Sequence, residues 1–321
     1  MKVLITGGAG YIGSVTTAYL LDNGFQVNVL DNLSTGHEKY IDKRAKFFLG
    51  DILDSNSIIK SMNECTAVVH LAGKAIVSES ILKPNFYMEN NYIGTINILN
   101  SMKSLLVNKL IFSSTCAVYG NPISKLIGED HPTNPINPYG ESKLQADKEI
   151  NQFSKLNNLN SISLRFFNVG GSYRSTGNHL FGESHDKETH LIPKILNNKS
   201  VNVDGTGFDS PDGTCVRDYV HVVDLARAIK LSLEKQNLGH HKIYNLGSGN
   251  GSSVLEVIAE AEKVIFSKIV KKDGPAKNGD PAYLVADSKL AKIELGWVSQ
   301  FSLNKIIGDS YEFNQALNLE I

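Results

Sequence analysis

The sequence predicts an α/β protein, a doubly wound parallel sheet joined to a smaller C-terminal α/β lobe. Three observations carry that expectation. Before Gly170, short apolar runs alternate with helical stretches, the rhythm of strands joined by crossover helices. Runs such as TAVVHL (66–71) are apolar without polar alternation, so their strands are buried on both faces. From Gly170 onward Gly, Ser, Asp and Asn become frequent, and loops such as DGTGFDSPDGT (204–214) interrupt the pattern. The expected division is residues 1–169 for the first domain and 170–321 for mainly the second, with parts crossing back to the first.

KVLIT (2–6) opens the sheet, and Gly7, Gly10 and Gly13 follow at once with the spacing G-x-x-G-x-x-G. Glycine permits a tight strand-to-helix turn, lets backbone approach a pyrophosphate, and brings helix and strand close together. The start of the following helix then faces the anion. That helix, IGSVTTAYLLD (12–22), is closed by Gly24 as its C-cap. QVNVLD (26–31) is the second strand and ends in Asp31, at the distance where a ribose-binding acid belongs. A carboxylate accepts from ribose hydroxyls and repels a 2′-phosphate, which favours NAD over NADP. Together these make a Rossmann-type cofactor site.

AKFFLGDI (45–52) and TAVVHLAG (66–73) are the third and fourth strands, and KLIFSSTCAVYG (109–120) is the fifth. DSNSIIKSMNE (54–64) and NFYMENNYIGTINILNSMKS (85–104) are helices between them, and SISLRFFNV (161–169) is the sixth strand. Ligands of such sheets lie beyond the carboxyl ends of the strands. Gly50, Asp51 and Ile52, then Ala72 and Gly73, are therefore candidate adenine and pyrophosphate contacts. The competing role for Asp51 is a turn or N-cap residue.

NPYGESK (137–143) opens a helix with a proline at its start. Tyr139 and Lys143 share one face, and no other tyrosine in the chain has a lysine four residues on. The hydroxyls of Ser113, Ser114 and Thr115 stand at the end of the fifth strand, where they would enter the same crevice. An alcohol oxidised by a nicotinamide needs a base for its proton, and tyrosine at a pKa of about 10 is a poor one. Lowering that pKa by about 3 units takes roughly 4 kcal/mol, which a nearby ammonium could supply. Tyr139 is the expected base, Lys143 its tuner, and Thr115 a hydrogen-bonding partner at the reacting oxygen.

Apolar residues make up 41% and charged residues 20% of the 321-residue chain, as in a soluble globular protein. A formal net charge of −1 gives no bulk reason to bind nucleic acid or an anionic membrane. Cys65, Cys116 and Cys215 are widely spaced, which suggests neither a disulfide framework nor a zinc site, and no metal ligands are assigned. No apolar run reaches the roughly 18–20 residues of a membrane helix, and the N-terminus lacks signal-peptide architecture. A reducing cytoplasm is the expected address.

TGGAGYIG (6–13), Asp31, SST (113–115) and the Tyr139–Lys143 pair resemble the extended short-chain dehydrogenase/reductase family. DNLSTGH (31–37), ENNYIGT (89–95), LRFFNVGG (164–171), ETHLIP (188–193) and DGTCVRDYVHVVDLA (212–226) narrow the resemblance to its NAD-dependent nucleotide-sugar epimerases and dehydratases. YNLGSGNGSSV (244–254) and GDPA (279–282) extend it over nearly the whole chain. The resemblance implies 4-epimerisation of a UDP-hexose, interconverting UDP-galactose and UDP-glucose through a transient 4-keto sugar with NAD as cofactor. It implies cofactor contacts at Gly7, Gly10, Tyr11, Ile12, Gly13, Asp31, Asn32, Asp51 and Ile52. Further contacts are implied at Leu71, Ala72, Gly73, Asn91, Ser113, Tyr139, Lys143 and Phe166. For the nucleotide sugar it implies Thr115, Tyr139, Asn168, His190, Leu191, Arg217, Lys277 and Asp280, with Arg217 on the diphosphate. The competing role for Arg217 is an ion pair with Asp218. A homodimer is the implied assembly.

Dehydratases and decarboxylases of this group carry an acid just after the fifth-strand Thr, whereas this chain has Cys116-Ala117, which favours epimerisation. Four positions depart from the epimerase pattern, the first being the lysine after the fourth-strand glycine, which is displaced, with Lys74 followed by Ala75. Lys277 replaces an arginine and loses the bidentate fork. Asp204 stands where an aromatic residue near the uracil is common. Leu284 stands where some members have a tyrosine, leaving room for an N-acetylated sugar. An epimerase acting on UDP-N-acetylhexosamine or a UDP-uronic acid is thus the second reading, and a non-catalytic NAD-binding regulator the third.

Overall fold

A computed structural model describes residues 1–185, 188–198, 200–235, 241–274 and 281–319. β1 (Lys2–Thr6) pairs in parallel with β2 (Gln26–Asp31) on one side and β4 (Ala67–His70) on the other. β3 (Lys46–Leu49) extends one edge, while β5 (Lys109–Thr115), β6 (Asn160–Phe166) and β12 (His241–Leu246) extend the other. All seven strands are parallel, in the order β12-β6-β5-β4-β1-β2-β3. Strand order reverses between β1 and β4, which places the ligand crevice beyond their carboxyl ends.

Alternation along β1 distributes side chains to two cores. Val3 and Ile5 face one apolar cluster with Val27, Val29 and Leu164. Leu4 faces the other, with Leu30, Val68, Leu110 and Phe112. α1 (Tyr11–Asp22) covers the first face, and its C-cap is Asn23, with Gly24 one residue beyond at φ +81°. α2 (Ser55–Met62), α5 (Gly94–Ser104) and α6 (Pro138–Asn157) contribute Ile58, Ile98, Ala146 and Ile150 to the second cluster.

The single helix expected over 85–104 is broken. After α3 (Val77–Leu82), α4 (Pro84–Tyr87) passes into a π-helical segment, Met88–Ile93, before α5 begins. Within that segment Asn91 turns inward, accepting from the Lys74 N–H at 2.8 Å and donating to the Lys74 carbonyl at 3.0 Å. A wider turn that aims one side chain at a distant backbone is a common use of π geometry. The fifth strand also ends earlier than expected, because Thr115 caps a 3-10 turn over Cys116–Tyr119.

β7 (Asn168–Gly170) leads away from the sheet toward β8 (Tyr173–Arg174) and β9 (Leu180–Phe181). α7 (Leu191–Asn198) and β10 (Ser200–Asp204) follow, then β11 (Val216–His221), which pairs with β7. α8 (Val222–Glu234) returns to the large sheet, burying Leu225, Ala228, Ile229 and Leu233 in the same cluster as Val3 and Ile5. β12 then adds the last strand beside β6. β13 (Gly251–Ser253) and β15 (Tyr283–Leu284) flank β11, and β14 (Val270–Gly274) pairs with β10. α9 (Val254–Ile265) and α11 (Leu303–Leu319) close a separate core with α7 through Ile195, Val257, Ile258 and Ile306. α10 (Lys289–Leu295) packs Leu295 back onto the first sheet.

Candidate active site

The glycine turn is shaped by contact at β1 and β4. A Cβ on Gly7, where φ is +73°, would lie 2.6 Å from the Ala72 nitrogen, and one on Gly13 would collide with the Gly7 carbonyl. At Gly10 nothing but the Gly7 oxygen, at 3.5 Å, lies near such a carbon, so that side stays open for a pyrophosphate. Asp31 closes the turn: its carboxylate accepts from the Ala9 N–H at 2.9 Å and the Leu33 N–H at 2.8 Å. A carboxylate has about four acceptor positions, so capacity for ribose hydroxyls remains. The turn, the acid and the open side fit a dinucleotide.

Other expected cofactor residues hold the cradle itself. The Tyr11 hydroxyl donates to the Gly171 carbonyl at 2.6 Å, and Ile12 packs into the core, leaving their backbone N–H groups for a ligand. Asp51 accepts from the Leu53 N–H and from Asn32, at 2.8 and 2.7 Å, a turn role, while Asp54 caps α2. Ile52 lies under Gly94. Leu71 and Ala72 hang on Thr6 through their N–H groups, and Gly73 lies beside Lys143 and Asn91. Phe166, at the end of β6, is buried opposite Thr115.

On α6, Asn137 caps the helix by accepting from the Gly140 N–H at 2.8 Å, and Pro138 begins it. A Cβ on Gly140 would lie 2.6 Å from the Ala117 carbonyl, so glycine lets this helix end close on β5. That approach brings Tyr139 beside Thr115, whose hydroxyl favours the phenolate. Lys143 donates to the Ser113 carbonyl at 2.9 Å. Burial pushes the Tyr139 phenol up to about 12, against the pull of the Thr115 hydroxyl. Burial likewise pulls Lys143 down to about 8, against the attraction of Asp147 one turn along. In the chain by itself desolvation outweighs the Thr115 hydroxyl, and the lowering expected with the positive nicotinamide in place concerns the loaded site.

β11 presents successive residues to opposite sides. Asp218 is held by the N–H groups of Ser248, Gly249 and Ala286 at 2.7, 2.9 and 3.0 Å. Arg217 donates to the Val216 and Pro281 carbonyls, and its charge opposes the rise that burial imposes on the Cys116 thiol. Its charge is thus felt at the residue that follows β5. Asn168 pairs across with Tyr219 in the strand register. Leu284 is buried with Cys116 and Phe167. His190 is bound to Glu183, and Leu191 begins α7. Lys277 and Asp280 lie outside the described residues.

A model of the NAD dependent epimerase/dehydratase family matches residues 3–247. The chain belongs to that family. NAD is the cofactor in the family's description. Like this family member, the UDP-glucose 4-epimerase of Corynebacterium glutamicum has the full-length pattern. It is 42% identical over 323 residues, covering 99% of this chain and 97% of its own. A solved UDP-glucose 4-epimerase superposes with a TM-score of 0.94 at 41% identity, covering 99% and 98% of the two chains. That of Bifidobacterium longum, solved with NAD+ and UDP, gives 0.93 at 34% identity over 100% of both chains.

Some site residues of this epimerase/dehydratase family member carry no local sequence signal. The Tyr87 ring meets Tyr139 edge-on at 6.4 Å, and its hydroxyl donates to the Ile76 carbonyl. Ser142 accepts from Asn91 at 2.9 Å, so both Asn91 amide hydrogens are engaged while its oxygen keeps one acceptor position. Asp147 accepts from Ser114 at 2.8 Å and pairs with Arg165. Glu183 and His185 gather around His190; E-x-H-x-x-x-x-H has a ligand-like spacing that a polar loop disguised.

Proposed function

We propose that the chain is a UDP-glucose 4-epimerase, interconverting UDP-galactose and UDP-glucose. The observation that carries this reading is Tyr139 beside Thr115 at the carboxyl end of β5, with Lys143 one turn along α6 donating to the Ser113 carbonyl. Tyr139 removes the proton of the sugar 4-hydroxyl and later returns one to the 4-keto oxygen. Bound NAD supplies the hydride acceptor at carbon 4 and the donor for the opposite face, so no net redox change results. A phenol at about 12 is a poor base, so activation awaits the positive charge of a filled site. Thr115 holds the reacting oxygen in line with the phenol. Arg217 binds the diphosphate, and Asn168 with Leu191 positions the sugar nucleotide.

Purified, NAD-loaded protein given UDP-galactose is expected to produce UDP-glucose; a folded sample with no conversion overturns the reading. Running UDP-N-acetylgalactosamine beside it decides whether the space left by Leu284 admits an N-acetyl group. Tyr139→Phe is expected to lose roughly 100- to 10,000-fold in turnover, and near-normal activity would remove Tyr139 as the base. Among the described residues no helix is long and apolar enough to cross a membrane, and Cys65, Cys116 and Cys215 are buried. These features support a cytoplasmic enzyme, and the family resemblance supports a homodimer, which sedimentation would test.

A further inference from the structure

The loop between β9 and α7 gathers three metal-type donors that the epimerase chemistry does not use together. One oxygen from Glu183 and one ring nitrogen each from His185 and His190 lie within 4.8 Å of one another. Both imidazoles present Nδ1 to the same Glu183 oxygen, His185 at 3.4 Å and His190 in direct contact. Glu188 adds a second carboxylate 3.5 Å from His185 Nδ1, while its other oxygen accepts from the His185 N–H at 2.9 Å. Two nitrogens and one carboxylate drawn together, with Glu188 beside His185, form a donor set that suits zinc. Hard cations such as magnesium prefer all-oxygen sites.

The charge balance fits the same reading. Glu183 is nearly buried, with 8% of its side chain exposed, and an unpaired carboxylate there is costly. Two imidazoles already face that carboxylate, and a divalent ion would meet the same negative charge.

We propose that Glu183, His185, His190 and Glu188 form a binding site for one zinc-type divalent ion. The ion ties the loop that follows β9 to the residue that precedes α7. It acts as a clasp on the second lobe and takes up His190, a residue the family resemblance also implies for the nucleotide sugar.

The test uses the full chain without an affinity tag, stripped with EDTA and desalted. Zn2+ is titrated by calorimetry at pH 7.5, and metal retained after gel filtration is counted by mass spectrometry. One equivalent per chain is expected, with a raised thermal midpoint and no binding of Mg2+. The double variant Glu183→Gln/His185→Ala is expected to retain about one tenth or less of that zinc. Circular dichroism in EDTA establishes whether it folds. If it does not, His190→Gln, altered at an exposed ring, serves instead and is expected to weaken binding about tenfold or more. Absence of stoichiometric zinc in the unaltered chain, or equal retention by a folded variant, would overturn the proposal. The cluster would then be a protonated ion-pair network only.

Discussion

Lys143 is a charged group held where charge is costly. Its pKa falls from 10.5 to about 8 because burial disfavours the ammonium. Between those values the unfolded chain keeps a proton that the folded chain has released. Stability therefore rises with pH across that window, and below it the full cost is present. The span corresponds to about 3 kcal/mol. Lys143→Met removes the effect along with the activity. Urea unfolding should show the stability of the variant relative to the parent falling by about 3 kcal/mol from pH 7 to pH 10.5. A difference that does not change with pH would mean the ammonium is solvated. Tyr139 and Lys143 were legible in the sequence because a helix places residues four apart on one face. Tyr87 and Asp147 were not, since they reach the site through contacts made only by the tertiary fold.

At the level of elements, the turn from β1 to α1 has the least slack. A methyl on Gly13 meets the Gly7 carbonyl, so Gly13→Ala must push α1 off the strand. The expected cost is about 3 kcal/mol, at the upper end for overpacking, together with weakened NAD retention. Denaturant titration of NAD-stripped protein checks the first and dialysis of loaded protein the second; an unchanged midpoint would show that the turn relaxes. This turn was readable because three glycines and a following acid specify it locally. The π segment was not, because its cause is a hydrogen-bonded bridge from Asn91 to the backbone of Lys74, 17 residues away in sequence. The same bridge links the cradle to α6 through Ser142. Pattern alone sees one helix there.

For the whole molecule, the parallel sheet and the change of texture near Gly170 were apparent from apolar runs and loop composition. The placement of β12 was not, because it pairs with a strand about 80 residues earlier and no local signal announces such a partner. Tyr244 and Leu246 from β12 and Leu225 and Ile229 from α8 complete the cluster that holds Val3 and Ile5. Residues 1–169 expressed alone are therefore expected to lack a cooperative unfolding transition and to expose apolar surface. Adding residues 170–319 in the same chain should restore it. A sharp calorimetric transition in the short fragment would show that the outer strand is dispensable. The return of α8 and β12 also bears on how such a protein can be remodelled. The second lobe is not a cassette: a recombination crossover at Gly170 would import a foreign edge strand and a foreign covering helix into the inherited sheet. New sugar preferences are therefore reached more readily by point substitutions around positions such as Leu284 than by exchange of halves.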